Sequence, residues 1–181
     1  MIVKVDRDAL QRAFEALRAS PAFAESAAVV ARGGDPVEML QAMSLRPELL
    51  KAFGGLSEAI YPGGLVERSV KEFIILDVSR RNRCQFCESS HLAMCRMIGI
   101  TEPERKLDTL EGLSSRERLA VLYARSVTTN SNAVPESLTR ELRDAFTDAE
   151  LVEITAMIGL ISMLNMFNNA LGVRYRDDYG A

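Results

Sequence analysis

Apolar residues recur along this chain at spacings of three and four, the period of an amphipathic helix, and no period-two run is long enough to make a sheet. The pattern predicts an all-α fold. Asp6 is placed to cap a first helix over Leu10, Ala13, Phe14 and Leu17, and Pro21 ends it and opens a second that stops at Gly33-Gly34. Asp35-Pro36 starts a short helix, and Pro47 heads another that carries Leu49, Leu50, Phe53 and Leu56. After the turn Tyr61-Pro62-Gly63-Gly64, the next segment buries Leu65, Val70, Phe73, Ile74, Leu76 and Val78 and ends at Arg80-Arg81-Asn82. A further helix begins near Cys84 and stops at Gly99, with Leu92, Met94, Met97 and Ile98 as core candidates. Ser114 with Glu117 and Thr147 with Glu150 are capping boxes that open two more helices, and Pro135 opens one between them that reaches Phe146. The last helix runs to Gly172 and contains the longest uncharged stretch. That stretch has the length of a membrane span but carries Thr155, Ser162, Asn165, Asn168 and Asn169, so a buried core helix is expected.

The chain has 181 residues, 48% hydrophobic and 26% charged, which excludes disorder and is enough for one core without a disulfide or metal staple. Residues 1–34 read as an N-terminal helical extension and 35–181 as the main domain. A net charge of −3 gives no general attraction for phosphate backbones or anionic lipid, so neither nucleic acid nor membrane is expected as a partner. The first residues become charged before an apolar leader can form, so the expected location is the cytoplasm. Three cysteines, an odd number with no extracellular context, point to thiol chemistry or metal binding rather than a disulfide framework.

The run Cys84-Gln85-Phe86-Cys87-Glu88-Ser89-Ser90-His91 puts two thiols three apart and an imidazole four beyond the second, spacings that share one helix face. The N–H groups and dipole at a helix start favour thiolate, and an imidazole one turn away can take or return a proton. His91 is the chain's single histidine. A carboxylate on the preceding helix would hold its tautomer, and Glu72 is the candidate, with Glu67 and Asp77 as competitors; on composition alone Glu72 could equally be an exposed carboxylate, because acids on helices usually face water. Zinc is a rival occupant, with Cys84, Cys87, His91 and either Cys95 or Glu72 as ligands. A single helix face wraps a tetrahedral ion poorly and the paired ligand knuckles are absent, so zinc is not expected as a cofactor. Cys95 reads as an inert core thiol, and Met157, Met163 and Met166 as core packing. Asn165, Asn168 and Asn169, if buried, need partners at helix ends, a subunit boundary or an active-site water. Arg80, Arg81 and Arg83 are either a solvated helix end or a local positive field beside the thiols.

With these residues in place the chain resembles the carboxymuconolactone decarboxylase superfamily, and within it the alkylhydroperoxidase AhpD-like branch. That branch carries a glutamate twelve residues before Cys-x-x-Cys-x-x-x-His, and Glu72, Cys84, Cys87 and His91 stand at those spacings. Gly64-Leu65, Ser79-Arg80, Asn82, Asn165 and Asn168-Asn169-Ala170-Leu171-Gly172 agree as well, so the resemblance spans about residues 35–172. It implies an AhpD-like antiparallel helix bundle and a thiol-dependent peroxidase in which Cys87 attacks the hydroperoxide, Cys84 resolves the sulfenic acid as a disulfide, and Glu72 with His91 relays the proton. It also implies an external dithiol reductant of lipoamide or thioredoxin type and a homo-oligomer, trimer or hexamer. Helix position alone would make Cys84 the more acidic thiol; the resemblance assigns attack to Cys87. The chain departs from the branch in having Phe86 where its characterised peroxidase has a second histidine. Other functions to be weighed are a cofactor-free decarboxylase or isomerase and a redox-switched binding protein.

Overall fold

A computed structural model describes residues 1–176, and among these there are helices and no strands. In chain order they are α1 (Arg7–Ala16), α2 (Ala24–Ala31) preceded by a 3₁₀ turn at Pro21–Phe23, α3 (Glu38–Ser44), α4 (Pro47–Ile60), α5 (Arg68–Arg81), α6 (Gln85–Met97), α7 (Pro103–Thr109), α8 (Ser115–Asn130), α9 (Glu136–Ala145) and α10 (Asp148–Leu171). The all-α expectation holds. The starts and stops follow local chemistry: Asp6 accepts from the Asp8 and Ala9 amides, both capping boxes form, and Gly172 ends α10 in the left-handed conformation at φ 65°.

The bundle is built around α5, whose residues Val70 through Ser79 are all buried and which packs against α6, α8 and α10. A helix enclosed on every side holds its side chains in one arrangement, and this one carries Glu72. The link Asn82–Cys84 is too short for anything but an antiparallel return, so α6 lies beside α5 with its N-terminus close to the end of α5. Asn165 on α10 fastens this corner, donating to Ser79 Oγ and accepting from Asn82 Nδ2 at 3.0 Å each, while Asn169 Nδ2 donates to the Asn82 carbonyl at 2.9 Å. Two of the three candidate amides therefore bond helix ends inside the chain.

A second buried pairing shapes the loop before α5. Lys71 and Glu153, 1% and 6% exposed, form an ion pair at 2.6 Å. Lys71 Nζ also donates to the Gly63 carbonyl, and the Glu153 carboxylate accepts the Leu65 and Val66 amides at 2.7 and 3.1 Å. Gly64, at φ 101°, sits where an added Cβ would strike both charged groups. The loop from Tyr61 to Val66 is thus pinned to α5 and α10. That also explains Leu65, a core candidate that is 64% exposed: its amide is used by Glu153 and its side chain faces outward.

Residues of the extension form their own apolar cluster, Leu10, Phe14, Phe23 and Val30, which continues into Leu40 of α3 and Leu50 of α4. Phe23 lies directly on Gly54, where any Cβ would enter its ring. Four further expectations fail on exposure. Met97 (66%) and Ile98 (44%) end α6 in solvent, and Met163 (41%) and Met166 (65%) lie on the outer face of α10 while Met157 is buried. The seven-residue α7 carries only Leu107 as a buried residue, too short a pattern to read from periodicity. By length and composition α10 could cross a membrane; here it is packed against α4, α5, α6 and α8.

Candidate active site

Glu72 is fully buried, not solvent-facing, and its carboxylate collects three donors. One oxygen is 2.7 Å from His91 Nδ1; the other receives the Tyr61 hydroxyl at 2.8 Å and Arg68 Nε at 2.6 Å. Arg68 also donates through Nη2 to the Tyr61 oxygen at 2.7 Å and stacks over the Tyr61 ring at 4.3 Å. Burial by itself would raise the Glu72 pKa, but the hydrogen bond and charge of His91, then the Tyr61 hydroxyl and the Arg68 charge, outweigh it and hold the carboxyl below its ordinary value. The acid is therefore kept ionised, and with Nδ1 held by it the histidine offers Nε2 for proton transfer.

The other acids singled out in the sequence serve elsewhere. Glu67 pairs with Arg116 at 2.8 Å, and Asp77 binds Arg81 at 2.8 Å and Arg125 at 2.6 Å. Within the basic cluster, Arg80 pairs with Asp108 at 2.9 Å and Arg81 with Asp77, while Arg83 is exposed.

Cys84 is the N-cap of α6, its sulfur 3.4 Å from the Cys87 amide, and the two cysteines form a disulfide with Cα atoms 5.4 Å apart. Both are buried, at 0% and 3%. Asn168, one helix away on α10, brings its side-chain nitrogen to 3.3 Å from Cys87 Sγ and 3.6 Å from Met39 Sδ. The third cysteine is separate. Cys95 lies in a cluster with Phe73, Leu76, Leu107 and Val121, and burial pushes its thiol up to about 12. Among the described residues no cluster of three or more histidine, cysteine or acidic side chains could hold a metal ion.

Cys87 and His91 face a common cavity of about 390 Å³, within the size range of small-molecule sites. Its wall is mostly apolar, with Met39, Phe53, Phe86, Met157 and Ile161 among its residues, and Ala22 and Phe23 of the extension close one side. The polar atoms gather at Tyr61, Arg68, Ser90, His91 and Asn168. Of the four motif residues Cys87 and His91 line the cavity, while Glu72 stands behind it bonded to His91 and Cys84 behind it bonded to Cys87. Sequence reasoning missed Tyr61 and Arg68. Arg68 was within reach, since it stands one turn before Glu72; nothing in the local pattern marks Tyr61, which arrives through the fold of the following loop.

Residues 47–107 match the carboxymuconolactone decarboxylase family. Among solved structures, an uncharacterized peroxidase-related protein from Silicibacter sp. TM1040 superimposes with a TM-score of 0.75 at 21% identity, over 99% of this chain and 94% of its own. A protein of unknown function from Agrobacterium tumefaciens, named as a candidate antioxidant defence protein AhpD, matches at TM-score 0.66 and 27% identity, over 75% of this chain and 95% of its own. The debrominase Bmp8, solved with 2,3,4-tribromopyrrole, matches at 0.72 and 20% identity, over 99% of this chain and 93% of its own. Likeness at 20 or 21% identity carries the fold and leaves the reaction to the site.

Proposed function

From the match of residues 47–107 to the carboxymuconolactone decarboxylase family and the likeness of the fold to AhpD-like structures, we propose that the chain is an AhpD-like, thiol-dependent hydroperoxide reductase. The observation that carries this reading is a redox-capable Cys84–Cys87 pair at the wall of an apolar cavity that His91, braced by a buried Glu72, also faces. In the reduced protein the Cys87 thiolate attacks the terminal oxygen of ROOH. An S–O bond forms, the O–O bond breaks, and the alkoxide leaves as ROH with a proton from His91. Cys84 then attacks the sulfenic sulfur, its thiol proton passes to the departing hydroxide, and water leaves as the disulfide closes. An external dithiol of lipoamide or thioredoxin type reduces the disulfide, so that ROOH and R′(SH)₂ become ROH, H₂O and R′S₂. No metal or organic cofactor enters this sequence.

His91 acts as the proton carrier at Nε2, and Glu72 as the positioning residue that holds Nδ1 and stabilises the imidazolium. The reading includes action in the cytoplasm as a homo-oligomer, trimer or hexamer, in which the outward residues Val152, Met163 and Met166 of α10 are covered. The test is hydroperoxide consumption coupled to dithiol oxidation. Turnover should be lost in Cys87→Ser and fall about 10²-fold or more in His91→Ala, the usual worth of a positioned acid-base group. One oxidation without turnover would instead indicate a redox-switched binding protein, and a Cys84–Cys87 pair that hydroperoxide does not oxidise would point to a cofactor-free decarboxylase or isomerase.

A further inference from the structure

Two polar atoms at the cavity are buried and unpartnered among the described residues: Ser90 Oγ and Asn168 Oδ1, on residues 5% and 1% exposed. Buried polar atoms are as a rule paired, so two unpaired oxygens on residues that line one cavity point to a guest that hydrogen-bonds there. The orientation of the Asn168 amide follows from chemistry. Cys87 and Met39 present sulfurs, which accept and cannot donate here, so the amide nitrogen is the end that faces them and the oxygen is the free end. Ser90 stands three residues after Cys87 on α6 and so shares a helix face with the sulfur that would react, and Asn168 touches that sulfur through Nδ2.

Resting on the reading of the site as a hydroperoxide reductase, we propose that Asn168 and Ser90 form the polar anchor of an organic-hydroperoxide subsite. Asn168 Nδ2 donates to the Cys87 thiolate. Its Oδ1 accepts the terminal O–H of the substrate, and the Ser90 hydroxyl donates to an oxygen of the same group. The organic part, an aryl or branched alkyl group, lies against Phe23, Met39 and Phe53. Attack forms the Cys87 S–O bond and breaks the O–O bond, and the departing alkoxide takes a proton from His91 to become the alcohol, which keeps the Ser90 hydrogen bond until it leaves. Asn168 thus touches a reacting atom and is assigned as a catalytic residue, with Ser90 as a substrate-binding one.

Two measurements test this without turnover, and one with it. In a Cys84→Ser background the Cys87 thiolate is followed by its ultraviolet absorbance against pH, and Asn168→Ala should move the midpoint upward. In the disulfide form, titration with cumyl alcohol, the product of cumene hydroperoxide, should show binding that weakens about three- to tenfold in Ser90→Ala, the worth of one neutral hydrogen bond. With cumene hydroperoxide as substrate, Ser90→Ala should raise KM more than it lowers kcat, whereas Asn168→Ala lowers kcat/KM about tenfold or more, the loss of a hydrogen bond to a charged sulfur. An unmoved thiolate midpoint in Asn168→Ala, or cumyl alcohol binding that is absent or insensitive to Ser90→Ala, overturns the proposal. A wild-type protein that binds the alcohol through these residues but reduces no hydroperoxide overturns the function reading alone.

Discussion

At the scale of single residues, the arrangement turns on an acid that the chain keeps charged in a place where burial opposes charge. Glu72 is inaccessible to solvent, yet His91, Tyr61 and Arg68 hold it below the ordinary carboxylate value, so its negative charge is available to hold His91 at Nδ1. Glu72→Gln removes that charge with little change of shape, and kcat/KM of the proposed hydroperoxide reduction should fall about 10–100-fold, the usual worth of a hydrogen-bonded carboxylate that orients a histidine. Tyr61→Phe removes one of three donors and should cost less than Glu72→Gln in the same assay; an equal or greater loss would mean that the phenol itself moves the proton. The placement of the four motif residues was legible in the sequence because it depends on spacing along two adjacent helices. Tyr61 and Asn168 were not legible in the same way. Tyr61 reaches Glu72 through a loop held by a lysine and a glutamate 82 positions apart, and Asn168 reaches Cys87 from 81 residues away. No local pattern encodes such distances, although the run of asparagines in an apolar helix did signal that partners were needed.

Among the elements, legibility followed how local the cause was. Caps, proline starts and glycine stops depend on four or five neighbouring residues, and they placed most helix boundaries. Which side of α10 faces inward was hidden, because the helix is apolar nearly all round and no polar stripe marks the outer face. Met163 and Met166 were assigned to the core for that reason. The loop before α5 offers a sharp test of element-level packing. Lys71→Met leaves Glu153 buried with backbone donors only, and removing one partner of a buried pair costs about 3–5 kcal/mol, so urea denaturation should show a loss of that size. Activity should fall as well, because the same loop presents Tyr61. At the junction of the extension with α4, Gly54→Ala drives a methyl into the Phe23 ring and should destabilise the fold by about 1–3 kcal/mol. An unchanged denaturation midpoint in Gly54→Ala would mean that the extension moves aside freely, and that its part in closing the cavity is dispensable.

Across the whole molecule, three buried glutamates join parts distant in the chain. Glu38 on α3 accepts the Arg174 amide and Arg176 Nε at 2.9 and 2.7 Å, Glu72 joins α5 to α6 and to Tyr61, and Glu153 joins α10 to the loop before α5. In each, burial alone would raise the pKa, and the donors around the carboxylate more than reverse it, leaving all three below the ordinary value of 4.5. The consequence for stability has one sign. Above the unfolded value the groups are ionised in both states and their native contacts contribute in full; as pH falls below it the unfolded chain takes up protons that the native state resists, so folding weakens until the native carboxylates are protonated too. The urea midpoint should therefore be nearly level from about pH 7 to about pH 5 and decline below that, with the decline shallower in Glu153→Gln, which has one fewer such group. Because these three contacts tie separate regions, the decline should be seen together by far-ultraviolet circular dichroism and by tyrosine fluorescence. A midpoint that held level or rose between about pH 5 and about pH 3 would show that the donors around these carboxylates do not overcome the cost of burying them, and the account of Glu72 as a permanently ionised support for His91 would fall with it.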